Sequence, residues 1–384
     1  MTSHTVHRPA NHATLLDSLR VALVPWAVSR IIVIGALMAS RWLANSGRVA
    51  SGTAIDRVHQ GLVGWDTGWY LSIASHGYVT AGRESARFFP LWPEILRGIH
   101  GVGLPLTASA IIITSALWLG VLVLVDRLAR IMGASATTRT TSLWLMSLTP
   151  GALASVMGYA EPLLVLLVTG TLIMLRSRTS GAGLGSTRWI FVGLLAAGAS
   201  LSRPVGVLLV IPICVEAWQR RGSDLLARVL AILSPVVALA GFLSWCKHAF
   251  GDLLLPIHVQ TEAAHHGGFA NPVTSLITSF TQATSGHASV AFHLVWVGIA
   301  LVLCVIGFRR SALSLALFSA SVVLAALSGH NLDSFERYLF ATPPLFIVAA
   351  GLLAAKWARV MVLVVLAVGL FGFGILAFTD QMVP

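Results

Sequence analysis

The chain has 384 residues, of which 56% are hydrophobic and only 10% charged, with a mean hydropathy of +0.84. So few polar groups cannot coat a soluble globule, and lipid must serve as solvent. The formal charge of +11 would suit nucleic acid, but the basic residues fall in small clusters between apolar stretches, the pattern that orients membrane proteins, so a nucleic-acid partner is set aside.

In chain order, apolar runs of roughly 17 to 25 residues, the length that crosses a bilayer, predict eleven spans: 21–42, 104–125, 140–157, 161–175, 188–203, 204–219, 229–247, 290–308, 311–328, 338–355 and 358–378. The first follows a polar lead and lacks a small-residue cleavage site, so it reads as a retained anchor. Neither an internal repeat nor a low-complexity linker interrupts the chain, and a single polytopic all-α membrane domain over 1–384 is the simplest organisation. Cys214, Cys246 and Cys304 are scattered through apolar runs without metal-type spacing and read as small core side chains.

Orientation follows from the short connections, because Lys and Arg are retained in the cytoplasm. With eleven spans, fifteen basic residues from Arg8 to Arg359 fall on one side, which makes that side and the N-terminus cytoplasmic. The two long connections, 43–103 and 248–289, then face outward, together with ten of the fourteen acidic residues. Long loops in a compact domain usually carry function.

Within the first long connection, Trp65, Trp69 and Ile73 recur at helical spacing and predict an interfacial amphipathic helix opened by Asp66. A carboxylate there either caps the helix start or acts as a general base on an acceptor hydroxyl. The connection ends in Arg87-Phe88-Phe89-Pro90-Leu91-Trp92-Pro93, readable as a shaped wall for a lipid chain or as an interface anchor. Arg30, roughly mid-span, reads as a residue that pairs inside the bundle.

Three short outer turns are unusually polar. Glu161 sits in one, Arg203-Pro204 in a second, and His330, Asp333, Glu336, Arg337 and Tyr338 in a third. Guanidiniums suit a phosphodiester, since the planar fork donates in pairs and stays charged. The competing reading is structural pairing, Arg203 with Glu161 or Glu336 with Arg337. In the second long connection, Asp252, His258, Gln260, Glu262, His265 and His266 show no zinc spacing, and His258 reads as a hydrogen-bond donor in a site.

These residues resemble the PIG-V family of membrane mannosyltransferases, and its bacterial members in particular. The resemblance lies in Trp65-Asp66 with Trp69-Tyr70 and Gly77-Tyr78, the Phe88–Pro93 run, Tyr159-Ala160-Glu161, Arg203-Pro204 before Gly206, Gly251-Asp252 with Gln260, and Glu336-Arg337-Tyr338, in order along nearly the whole chain. It implies the GT-C glycosyltransferase fold, with amphipathic helices and a catalytic carboxylate, here Asp66, in the first external loop. It implies a bacterial cell-membrane enzyme that takes mannose from polyprenyl phosphate mannose with inversion, the acceptor being a glycolipid, glycan or protein hydroxyl. Arg203, Arg337 and His258 are then the expected donor-phosphate ligands, and Trp65, Arg87, Glu161, Gln260 and His330 the expected substrate contacts. Neither metal nor cofactor is expected if two guanidiniums stabilise the leaving phosphate. The alternative is a transporter or flippase for a lipid-linked sugar, although binding groups in transporters gather near the midplane and here only Arg30 lies deep.

Overall fold

The computed structural model describes residues 15–49, 51–177, 185–220, 224–262, 268, 270–286, 288–329 and 331–384, and among these every regular element is a helix. The first long helix, α1 (Leu15–Asn45), leads into a connection that carries α2 (Gly52–Gln60), α3 (Asp66–His76), α4 (Tyr78–Ala81) and α5 (Leu91–Gly101). There follow α6 (Leu106–Ile131), α7 (Ala136–Leu148), α8 (Glu161–Arg176), α9 (Ser186–Ser202), α10 (Val210–Gln219) and α11 (Leu225–Phe250). The second long connection holds α12 (Leu255–Gln260) and α13 (Pro272–Thr284), and the chain closes with α14 (Ala288–Arg310), α15 (Leu313–Leu327), α16 (Phe335–Tyr338), α17 (Pro343–Leu352) and α18 (Lys356–Phe378).

Five helices, α1, α6, α11, α14 and α18, are long and apolar enough to cross a membrane. Their outward faces expose Ile31, Ile112, Val237, Val295 and Val368, more apolar surface than water tolerates but what hydrocarbon requires. The remaining predicted spans are shorter. Three of them depart from the sequence expectation for a local reason. The 140–157 run stops at Leu148 and continues as the tight turn Pro150–Ser155. Pro204 likewise opens the 204–219 run as a 3-10 segment before α10 begins. The 338–355 run breaks at Thr342, because Pro343 and Pro344 lack N–H groups and can only begin a new helix.

Short inner helices leave polar space at their ends. At one end of the bundle, Asp126 accepts from Ser18 and pairs with Arg130 at 2.9 Å and Arg139 at 3.6 Å. At the same end Glu216 accepts from Ser314 and pairs with Arg176 at 2.9 Å and Arg220 at 3.0 Å. Both carboxylates are fully buried, and they tie six helices together where the basic clusters lie.

At the opposite end the first long connection is not laid on the membrane surface as the sequence suggests. The buried face of α3, made by Thr67, Tyr70, Ile73 and Ala74, packs on α5, so its apolar side meets protein instead of lipid. Tyr70, Tyr78, Phe88, Phe89, Trp92 and Phe242 build a second core, and its polar tips are satisfied by Tyr78 donating to the Phe88 carbonyl at 2.7 Å and Trp92 to the Gly158 carbonyl at 2.9 Å. Arg30 is buried without a carboxylate partner; its guanidinium donates to the Ser155 carbonyl, to Ser29 and to the Trp26 carbonyl.

Two outcomes are expected. Gly206 lies so close to α9 that an added Cβ would sit 2.2 Å from the Ala199 carbonyl carbon; Gly206→Ala should destabilise by about 1–3 kcal/mol or more, read as a lower melting temperature in detergent. With the basic end cytoplasmic, a membrane-impermeant thiol reagent should label Thr80→Cys in intact cells and Thr137→Cys only after permeabilisation, both positions being exposed. The reverse pattern inverts the topology.

Candidate active site

Asp66 is positioned by a strained residue. Trp65 holds a left-handed backbone, φ 56°, which for a bulky side chain persists only under constraint. The constraint is visible: its indole N–H donates to the Ala377 carbonyl at 3.1 Å, and the Arg57 guanidinium lies 3.9 Å from its ring centre. Arg57 is itself held by Asp380 at 3.2 Å. The chain therefore turns sharply at the end of α18 and starts α3 with Asp66 aimed into the bundle.

Three other turns supply the partners. Glu161 begins α8 ahead of Pro162, in the turn through Gly158, whose added Cβ would meet Thr67 at 2.7 Å. Only glycine lets α3 approach that closely. Arg203 ends α9 in an extended conformation that Pro204 enforces. Arg337 lies on α16, which starts after the left-handed Ser334 and packs so tightly on Gly151 that an added Cβ there would sit 2.8 Å from the Glu336 carbonyl.

The four side chains form a closed square of alternating charge. Asp66 Oδ2 accepts from Arg203 Nη2 and from Arg337 Nη1, each at 2.9 Å. Arg203 Nη2 also donates to Glu161 Oε1, and Arg337 Nε lies 3.3 Å from the same oxygen. Glu161, Arg203 and Arg337 are nearly inaccessible, whereas the Asp66 side chain keeps 23% of its surface. Burial pushes the Asp66 carboxyl up, but the guanidiniums of Arg337 and Arg203 more than offset this, and its pKa falls below the usual aspartate value. Asp66 is thus ionised and a weak base while both arginines hold it. Tyr159 lies beneath Arg337, 5.5 Å from ring centre to guanidinium.

Arg203, Arg337 and Glu161 also form the polar mouth of a cavity of about 410 Å³. Arg87, Gln260 and Asp333 stand at the same mouth, and the depth is apolar, with Leu164, Val207, Leu239, Leu243 and Val322 among its walls. Phe89 belongs to this wall, so the Phe88–Pro93 run shapes the cavity and does not serve as a lipid-facing anchor.

Of the residues singled out from sequence, Asp66, Arg203, Arg337 and Glu161 come into direct contact, and Arg87 and Gln260 join them at the cavity. Trp65 does not line the cavity; it supports Asp66 from behind. His258 does not line it either: its Nδ1 bonds Asp252 Oδ2 at 2.8 Å, and that hydrogen bond is the main cause of a lowered Asp252 pKa. His330, His265 and His266 lie outside the described residues. The Arg203–Glu161 pair is present, whereas Glu336 pairs with His293 at 2.8 Å and not with Arg337. Successive residues of α16 point to opposite sides, which separates them. Sequence reading missed His293, and the one available signal was a histidine within an apolar run. Among the described residues no group of three His, Cys, Asp or Glu side chains could hold a metal ion.

No family model and no curated protein sequence matches the chain. Two solved structures are similar to it. One is the oligosaccharyltransferase of Archaeoglobus fulgidus in complex with zinc and sulfate, at 15% identity over 77% of this chain and 44% of that one, with a TM-score of 0.41. The other is the archaeal oligosaccharyltransferase AglB from the same organism with an inhibitory peptide and a dolichol-phosphate, at 12% identity over 94% of this chain and 55% of that one, with a TM-score of 0.45. The chain therefore spans about half the length of these relatives or less.

Proposed function

We propose that this protein is a GT-C glycosyltransferase of the cell membrane, most specifically an inverting mannosyltransferase that uses polyprenyl phosphate mannose on the extracytoplasmic side. One observation carries the reading: two buried guanidiniums, Arg203 and Arg337, stand at the mouth of an apolar-walled cavity and share a carboxylate that keeps some access to solvent. That combination suits an amphiphile with an anionic head and a hydrocarbon tail. The ordered motifs shared with the PIG-V family supply the sugar and the stereochemistry. One membrane domain, with the 43–103 and 248–289 connections forming its active face, completes the proposal.

The chemistry follows from an exchange of partners. The donor phosphate enters between Arg203 and Arg337 and takes over the hydrogen bonds that Asp66 Oδ2 holds in the free protein. Relieved of two cations, the Asp66 carboxylate regains basicity. The acceptor hydroxyl oxygen then attacks the anomeric carbon as Asp66 removes its proton, and the carbon–oxygen bond to phosphate breaks with its electron pair on the leaving phosphate. The guanidiniums stabilise that developing charge. Glu161 stays with the arginines and keeps the pair neutralised through the cycle.

Three outcomes test this. Asp66→Asn should slow transfer by about a hundredfold or more, the usual contribution of a positioned base, yet bind polyprenyl phosphate more tightly than the parent because a competing anion is gone. If transfer persists near the parental rate, Asp66 is not the base. Arg203→Lys keeps the charge but loses the fork, and a weaker affinity for polyprenyl phosphate in a direct binding assay is expected. The acid limb of kcat/KM for the donor reports free protein and that of kcat the donor complex, so the former should lie at lower pH. Coincident limbs would remove the exchange of partners. Translocation of the lipid-linked sugar without any transfer product would support a flippase instead.

A further inference from the structure

On the far side of α16 lies a second cavity, of about 580 Å³, between α7, α14, α17 and α18. The segment from Phe335 to Thr342 is the partition between the two cavities. Arg337, Tyr338 and Phe340 face the first, and Glu336, Leu339 and Thr342 the second. The second cavity opens on the lipid-facing surface at Val295, Ile299 and Val302, all exposed residues of α14. It runs from Glu336 and Thr149 at one end to Leu352 and Leu353 at the other, alongside α17, whose ten residues extend about 15 Å.

Its lining is apolar except at one end. Glu336 is 2% exposed and Thr149 6%. Glu336 Oε2 takes the hydrogen bond of His293, while Glu336 Oε1 and Thr149 Oγ1 have no hydrogen-bond partner among the described residues. Buried polar atoms are paired in nearly all native proteins, so two orphans at one end of an apolar groove define what is complementary to it. A carboxylate oxygen accepts and a threonine hydroxyl both donates and accepts. A hydroxyl satisfies both at once, donating to Glu336 and accepting from Thr149. An anionic head is repelled by Glu336 and belongs in the first cavity.

We infer that this groove is a second lipid site, specific for a neutral amphiphile whose single hydrocarbon chain lies along α17 and whose hydroxyl-bearing head meets Glu336 and Thr149. The site stands independently of the transferase reading, because it contains none of Asp66, Glu161, Arg203 or Arg337. Its position against α16 places its ligand one residue from Arg337.

The test uses purified protein in phosphatidylcholine nanodiscs and a monoacylglycerol carrying a photoreactive diazirine in its chain. Crosslinks are expected in α14 and α17. A probe with the same chain ending in a methyl ester should label these helices about two- to tenfold less, the worth of one or two net hydrogen bonds, and Thr149→Val should lower monoacylglycerol labelling to a similar degree. Gly298 lines the groove with open space around its Cβ position. Gly298→Phe therefore fills the groove without a backbone clash and should abolish the labelling, with Ala349→Phe on the opposite wall as an independent blocker. Equal labelling by the ester, preferential labelling by a phosphate-headed probe, or labelling that survives both blocking variants overturns the inference. Transfer activity takes no part in any of these outcomes, so failure of the proposed reaction would show separately.

Discussion

Two arginine charges cannot be left unpaired at the edge of a hydrocarbon layer, and most of the outward half of this protein is organised around that constraint. Arg203 and Arg337 come from turns far apart in the chain, and the carboxylates that neutralise them come from two more, so one electrostatic cluster joins the first connection, the start of α8, the end of α9 and α16. Each arm is held by a local device: a strained Trp65, a proline after Arg203, a left-handed Ser334, and glycines at 151 and 158 where backbones touch. The devices differ because the turns differ, but all deliver a charged tip to one point.

The same cluster explains why the first connection folds inward. Once Asp66 must reach Arg203 and Arg337, α3 has to lie across the ends of the inner helices, and its aromatic face is covered by α5 and α11. Short helices at the centre and long ones at the rim follow from this arrangement, since α8 and α9 stop where the polar cluster begins.

Much of this was legible in the chain itself. Apolar run length located the spans, and the rarity of charge near the ends of spans singled out Asp66, Glu161, Arg203 and Arg337, because ionisable groups there need a partner or a task. Pairing was less legible. Glu336 and Arg337 are adjacent in sequence, yet α16 turns them to opposite sides, and the true partner of Glu336 is His293, a residue of another helix that no local pattern connects to it. The periodicity of Trp65, Trp69 and Ile73 was real, but periodicity identifies a helical face and not what covers it; protein covers this one. His258 shows the same limit, since spacing placed it near Gln260 while the turn of α12 sent its ring to Asp252. The breaks at Pro204 and Pro343 were written in the residues and were overridden in the reading by hydropathy alone.

The opposite end of the bundle has a consequence for biogenesis. Arg130, Arg139, Arg176 and Arg220 end up sharing two buried carboxylates, so in the finished protein their positive charge is largely cancelled. Orientation is decided earlier, as successive segments leave the ribosome and before distant helices have met. Glu216 is not yet made when Arg130, Arg139 and Arg176 emerge, and Arg176 waits for a partner forty residues further on. The arginines therefore act first as free cations that retain their loops and only afterwards as struts. A single set of residues serves insertion and then architecture, separated only by the time the ribosome takes to reach α10.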